Sequence, residues 1–313
     1  MLSLLPGPLV AVLVVTAALL NLALWGTLVV LTAPLKALLP MAKNPIGDLA
    51  NRFMAGWVLG NEIILKGLTP TQWHIQGLQQ PLNPQGSYLI VCNHLSAMDI
   101  AVVTIALRRN VPMLKFFLKQ QLLYVPFLGA ACWALDMPFM RRFSKSQLAK
   151  NPHLKGSDID TTRRSCERFR DRPTCVINYV EGSRLTPTKH QRQCSPFNYL
   201  LKPKAGGIAF AMSTLGDQFE QVLDLTVVYP GATDDIMAAF VSGKVEHVVV
   251  DINVIPMSAV PQGDYQQDKG YRVEFQAWLN QVWLRKDRLI GQLLRQYQPI
   301  NKARDFYQAI ASK

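Results

Sequence analysis

The stretch "VCNHLSAMDI", Val91–Ile100, follows Tyr88-Leu89-Ile90, so an uninterrupted apolar run stops abruptly at Asn93-His94. A short apolar run rich in β-branched residues reads as a buried strand. Similar runs recur at Met113–Leu118, Met137–Met140, Thr174–Val180, Val222–Tyr229 and Val245–Val254. Helix-like stretches fall between and after them, at Ala97–Leu107, Gln120–Trp133, Asp160–Arg170, Gly206–Leu215, Asp234–Val241, about Arg272–Arg295 and Lys302–Ser312. Strands alternating with helices predict an α/β domain with a largely parallel central sheet flanked by helices. In such sheets ligands bind at the C-terminal ends of the strands. His94 stands at such an end.

Upstream lies a different kind of sequence. No charged side chain occurs from Leu2 to Pro34. Leu9–Thr32 is long enough to cross the ~30 Å hydrocarbon core of a bilayer. A secretory signal would need a basic n-region and a shorter apolar core, and neither is present. Asn44–Leu65 reads as a second, membrane-associated helix that lies on the membrane surface or packs on the body. The expected organisation is an N-terminal anchor and surface helix over residues 1–66, then a cytoplasm-facing domain over 67–313. Lys36, Lys43 and Arg52 follow the apolar run with only Asp48 against them. By the positive-inside rule the body faces the cytoplasm.

The chain carries a net charge of +12 over 313 residues. No zinc module, RNP-like pattern or basic zipper accompanies that charge, so nucleic acid is not the expected partner. Anionic membrane phospholipids or a phosphorylated substrate suit it better. The five cysteines (Cys92, Cys132, Cys166, Cys175, Cys194) form no C-x-x-C pair. Neither a zinc site nor a disulfide framework is indicated. The basic segment Arg141–Arg172 has two readings, a solvated face and a cradle for the phosphates of a bulky donor.

Ser96 and Asp99 share the S-x-x-D spacing of a helix start. Within one regular helix His94 and Asp99 would point about 140° apart, so they meet only if His94 stands in the turn before the helix. Two readings follow. Asp99 is a helix cap and His94 a polar loop residue, or Asp99 fixes the imidazole tautomer and leaves Nε2 free as a general base. A second cluster, "VINYVEGSRLTP" at Val176–Pro187, again ends an apolar strand on polar residues. Gly182 permits a tight turn, Arg184 offers planar donors suited to phosphate, and Glu181 can accept from a hydroxyl. Its bland reading is a loop salt bridge. No G-x-S-x-G elbow supports a hydrolase.

N-H-x4-D at Asn93–Asp99 followed by E-G-S-R at Glu181–Arg184 resembles the lysophosphatidic acid acyltransferase family (1-acylglycerol-3-phosphate O-acyltransferases, PlsC type). "FLKQQLLYVPFLG" (Phe117–Gly129), "MPFMRR" (Met137–Arg142, with Arg141 at the matching arginine), "KPKAGGIAFA" (Lys202–Ala211) and "LTVVYP" (Leu225–Pro230) are similar to further family blocks in the family order. Ser183 stands where threonine is usual, and the glycine ahead of the second block is missing. The insert and C-terminus look closest to the bacterial YihG-type branch. The resemblance implies an enzyme of the bacterial inner membrane. It would move an acyl group from acyl-CoA or acyl carrier protein to the free hydroxyl of 1-acyl-glycerol-3-phosphate, without cofactor or metal. His94 and Asp99 would be catalytic, and Asn93, Arg141, Glu181, Gly182, Ser183 and Arg184 substrate-binding. Alternatives are the same chemistry on another lysolipid such as lysophosphatidylglycerol, and a non-catalytic lipid-binding scaffold.

Overall fold

A computed structural model describes residues 6–140, 170, 172–232, 235–265, 267–297 and 307. The chain opens with a helical hairpin, α1 (Gly7–Leu38) and α2 (Lys43–Leu68), joined by a 3₁₀ turn at Pro40–Ala42. Apolar side chains surround α1, yet only one stripe of it is buried, including Val10, Val14, Val29 and Ala33. Leu9, Val12, Leu13, Leu19, Leu20, Leu24, Leu31 and Leu35 stay exposed. A helix apolar all round that is not buried by protein fits a lipid environment. The hairpin closes tightly because of Gly56 and Gly60. A Cβ on Gly56 would lie 2.5 Å from the Trp25 ring, and one on Gly60 would lie 2.0 Å from Asn21 Oδ1. Asn21 in turn donates from Nδ2 to the Trp57 carbonyl and to Asn61 Oδ1, both at 3.0 Å.

These contacts make a paired prediction. Gly60→Val is expected to lower stability by about 1–3 kcal/mol through overpacking. Gly67→Ala, where an added Cβ meets nothing within 4 Å, is expected to raise it by about 1 kcal/mol through helix propensity. Thermal unfolding of the two variants should therefore shift in opposite directions.

The body is a six-stranded sheet of order β1-β8-β7-β2-β6-β3. Its strands are β1 (Gln72–Gln76), β2 (Tyr88–Cys92), β3 (Leu114–Phe116), β6 (Cys175–Tyr179), β7 (Gln221–Val228) and β8 (His247–Pro256). Every neighbouring pair is parallel except β7 with β8. All of β2 is buried, as expected of a central parallel strand. In the register, Cys92 lies opposite both Tyr179 and Leu225. The loops after β2 and β6 therefore leave the sheet at one edge, and so does the end of β7. Two short strands, β4 (Leu118–Lys119) and β5 (Phe139–Met140), pair separately.

The remaining helices are α3 (Met98–Leu107), α4 (Leu128–Ala134), α5 (Pro187–Gln193), α6 (Ala205–Leu215), α7 (Ile236–Val241) and α8 (Lys269–Gln296). Lys286 of α8 is buried and reaches β7, where its Nζ lies 2.6 Å from Asp224 Oδ1. Val10, Val14, Val58 and Leu65 of the hairpin belong to the same buried cluster as the sheet. The hairpin thus packs on the body, and residue 66 falls inside the last turn of α2.

Two expected elements need correction. The strand expected at Met113–Leu118 is divided between β3 and β4. The helix expected at Gln120–Trp133 is split into a 3₁₀ turn, Gln120–Tyr124, and α4, because Pro126 and a positive φ at Phe127 break it. β1 and α5 were not expected at all. Apart from residues 170 and 307, the helices expected at Asp160–Arg170 and Lys302–Ser312 lie outside the described residues.

Candidate active site

The β2 strand delivers Asn93 and His94 to the sheet edge, and the chain then turns into α3. The Nδ1 of His94 lies 2.8 Å from Asp99 Oδ2. The same oxygen accepts the backbone N–H of Leu95 at 2.6 Å and of Ser96 at 3.0 Å. The hydroxyl of Tyr229, at the end of β7, donates to Asp99 Oδ1 at 2.8 Å. An aspartate oxygen that already accepts two backbone N–H groups takes Nδ1–H as its third donor. The tautomer follows: in the neutral ring the lone pair sits on Nε2. Asp99 has no exposed side-chain surface, whereas that of His94 is 18% exposed. The two readings of the S-x-x-D spacing prove compatible, since Asp99 caps the backbone of the turn and holds the imidazole with one oxygen. Tyr179 of β6 stacks on the imidazole, with ring centroids 4.2 Å apart and planes 21° apart.

Glu181 sits behind this dyad with no exposed surface. Its Oε1 accepts the N–H of His94 at 3.2 Å and its Oε2 that of Leu201 at 3.1 Å. The Leu185 N–H donates to the His94 carbonyl at 2.8 Å, so the two strand-end loops are stitched together. Glu181 therefore shapes the loops from within. The side chain expected to bind substrate is thus buried among backbone donors. Asn93, also expected to bind substrate, is placed in a similar way. It is buried, donating to the Val227 carbonyl and accepting from the Val227 N–H, both at 2.9 Å. Its amide extends the β2–β7 ladder by one step after the strand has ended.

Burial pushes the Glu181 carboxyl up to about 8, against the two backbone N–H donors that hold it down. The unfolded chain loses this proton near 4.5. Between those values the folded chain binds a proton that the unfolded chain has released, so stability falls as pH rises through the window. The slope is up to about 1.4 kcal/mol per pH unit. Denaturant midpoints at pH 5 and pH 8 should differ less in Glu181→Gln than in the wild type.

Gly182, Ser183 and Arg184 form the loop rim. Gly182 adopts φ +72°, which favours glycine. Gly182 and Arg184 are exposed and Ser183 is half-buried. The Arg184 guanidinium has no hydrogen-bonding partner among the described residues. Lys204 stands over the turn, its Nζ 3.2 Å from where a Gly182 Cβ would be. Lys189 donates to the Arg184 carbonyl at 3.0 Å. The rim is basic. Arg141 and most of the Arg141–Arg172 segment lie outside the described residues. Among the described residues no group of three His, Cys, Asp or Glu side chains could hold a metal ion.

The sequence reading missed Tyr229, Tyr179 and Lys204 as site residues. Tyr229 had one usable signal, a hydroxyl-bearing aromatic at the end of a long apolar strand. The geometry now defines a class: a mostly parallel α/β sheet presenting an oriented histidine–carboxylate pair, with Nε2 unpartnered among the described residues, at the strand ends beside a basic rim. The chain belongs to the acyltransferase family, whose model, described as Acyltransferase, matches residues 74–230. It is 24% identical over 185 residues to human 1-acyl-sn-glycerol-3-phosphate acyltransferase gamma, covering 56% of this chain and 44% of that protein. It is 24% identical over 232 residues to lysophosphatidylinositol acyltransferase 10 of Caenorhabditis elegans, covering 68% of this chain and 54% of that protein. The chain thus spans about half the length of these relatives. Its fold resembles the crystal structure of the 1-acyl-sn-glycerophosphate acyltransferase PlsC from Thermotoga maritima. The TM-score is 0.51 with 15% identity, over 94% of this chain and 98% of that one.

Proposed function

We propose that the protein is a membrane-bound O-acyltransferase that moves a fatty acyl group from an acyl thioester to the free hydroxyl of 1-acyl-glycerol-3-phosphate, giving phosphatidic acid. The observation that carries this reading is the His94–Asp99 pair, whose tautomer is fixed by two backbone N–H groups on the same carboxylate oxygen. Nε2 takes the acceptor's hydroxyl proton as its oxygen attacks the thioester carbonyl. The tetrahedral adduct collapses, the C–S bond breaks, and the thiolate leaves with the proton returned by the imidazolium. No enzyme nucleophile is required. Acyl-CoA and acyl carrier protein both fit this chemistry as donors. The resemblance of the insert and C-terminus alone supports the bacterial YihG-type branch.

The basic rim supports a phosphate-bearing acceptor, and Arg184 is its guanidinium without a partner among the described residues. Arg184→Ala is expected to raise the KM for the lysophosphatidic acid by about 10- to 100-fold, the worth of a charged hydrogen bond. Arg184→Lys should fall between, because a lysine offers no planar pair of donors. The donor KM should move little in either. A rise confined to the donor KM would mean that the two substrates are assigned to the wrong sides of the cleft.

The location of the helices supports attachment to one leaflet. About 48 Å of α1 touches the body at both ends. Gly7 and Val10 approach Ser242 and Gly243, and Lys36 bonds to Asp136 Oδ2 at 2.6 Å and to the Ala134 carbonyl at 3.0 Å. A spanning α1 would draw the charged flank of α2 into hydrocarbon, at high cost. The basic residues after α1 favour the cytoplasmic face of a bacterial inner membrane.

The name of the lysophosphatidylinositol relative favours a second reading, the same chemistry on another headgroup such as lysophosphatidylglycerol. Purified protein assayed with acyl-CoA and acyl carrier protein donors against a lysolipid panel decides between them. Highest kcat/KM with lysophosphatidic acid is expected. Transfer to no lysolipid at all would overturn both readings and leave a lipid-binding scaffold.

A further inference from the structure

The loop ahead of α4 presents apolar side chains to solvent. Tyr124 is 76% exposed and Phe127 78%, with Val125 at 41% and Leu128 at 46%. No charged residue occurs from Gln120 to Leu135. The backbone is strained to hold this shape. Phe127 lies at φ 61°, ψ −52°, in a tight turn where the Leu128 N–H donates to the Pro126 carbonyl at 2.7 Å. Non-glycine residues keep such conformations only when the surroundings enforce them, and such strain gathers at working surfaces. Gly129 does part of the enforcing, since a Cβ there would lie 2.0 Å from the Leu123 carbonyl oxygen.

We infer that Tyr124, Val125, Phe127 and Leu128 form a second insertion point for the lipid bilayer, separate from α1, that turns the catalytic mouth towards the membrane surface. Two placements support a lipid surface as the occupant. First, α4 packs on the C-terminal half of α1, with Val29 and Ala33 clustered with Ala134 and Leu135. The knob thus adjoins the helix whose apolar flank is uncovered, and Leu31, Leu35 and Leu38 are exposed at that end. Second, β3 runs parallel to β6, which runs parallel to β2. The chain that leaves β3 for the knob therefore emerges at the sheet edge that carries His94. Exposed aromatic and aliphatic side chains without charge fit the bilayer interface, where tyrosine is enriched. A lysolipid whose chain lies in the leaflet meets His94 only if that edge faces the bilayer.

The inference rests on the lysolipid acyltransferase reading for its consequence, so one arm of the test is independent of activity. Wild-type protein and Tyr124→Ser/Phe127→Ser are reconstituted with vesicles of phosphatidylethanolamine and phosphatidylglycerol. Acyl transfer is measured to a long-chain lysophosphatidic acid in the vesicles and to a short-chain one dissolved as monomer. The double variant is expected to lose about tenfold or more on the vesicle acceptor and less than about twofold on the dissolved one. Phe127→Gly, which relieves the positive φ, should keep or raise the Tm while also losing vesicle activity. Independently, amide exchange over residues 121–130 of the wild type should slow on adding vesicles. Parallel losses on both acceptors, no loss on either, or exchange indifferent to vesicles would overturn the inference. Loss of self-association in the variant with vesicle activity intact would do so too, assigning the knob to a second copy of the chain. Wild-type protein inactive on both acceptors but protected by vesicles would sink the acyltransferase reading and keep the insertion point.

Discussion

His94→Ala is expected to lower kcat by about 10²–10⁴-fold, the usual worth of a positioned base, while the protein stays folded and membrane-bound. The fold should survive because the backbone groups at this position carry the loop. The His94 N–H still donates to Glu181 and its carbonyl still accepts from Leu185. Only the imidazole, itself partly exposed, is removed. Single-turnover assays on purified variant with an unchanged Tm check this. Near-normal turnover would refute the general-base assignment.

Asp99→Ala should do more damage than a lost catalytic hydrogen bond alone. It removes the acceptor of the Leu95 and Ser96 N–H groups and of the Tyr229 hydroxyl. Buried donors left unpaired cost about 1–3 kcal/mol each, so the Tm should fall by several degrees along with activity. Asp99→Asn separates the two effects. The two N–H donors force the amide oxygen into the Oδ2 position, and the amide nitrogen then faces the Tyr229 oxygen, which can accept. The tautomer of His94 is kept and only the negative charge opposite the developing imidazolium is lost. The variant should fold normally and turn over about 10- to 100-fold more slowly. Equal Tm losses in Asp99→Ala and Asp99→Asn would contradict this division.

Much of this arrangement was legible in the chain. The limits expected for the strand Tyr88–Cys92 are those observed, because five consecutive buried residues with a polar stop admit few alternatives. His94 and Asp99 were readable as a pair because only five residues separate them. The roles of Asn93 and Glu181 were not, because their partners are remote in sequence. Asn93 pairs with a residue 134 positions away, Glu181 with one 87 away, and Tyr229 reaches Asp99 across 130. A polar residue at a strand end looks the same whether it faces a ligand or a neighbouring strand. The β1 strand, Gln72–Gln76, escaped notice because an edge strand with polar termini buries too little to show a pattern. The α5 helix was missed although its start is marked, with Thr186 accepting from the Lys189 N–H at 3.3 Å and proline at the first helical position.

The N-terminal helical hairpin was legible in composition but not in its packing on the body. A run without charge reads the same whether it crosses a bilayer or lies along it. The structure adds contact with the body at both ends of α1, at Ser242–Gly243 and at Ala134–Asp136, and no local pattern encodes that.

The most direct test of the central claim is a product balance. Purified protein is given acyl-CoA with and without lysophosphatidic acid, and free thiol, phosphatidic acid and any acylated protein are quantified together. The account expects one thiol released for each phosphatidic acid formed, no thiol without the acceptor, and no acyl group on the protein. Thiol release without acceptor, or a trapped acyl-enzyme, would contradict direct attack by a hydroxyl that His94 deprotonates.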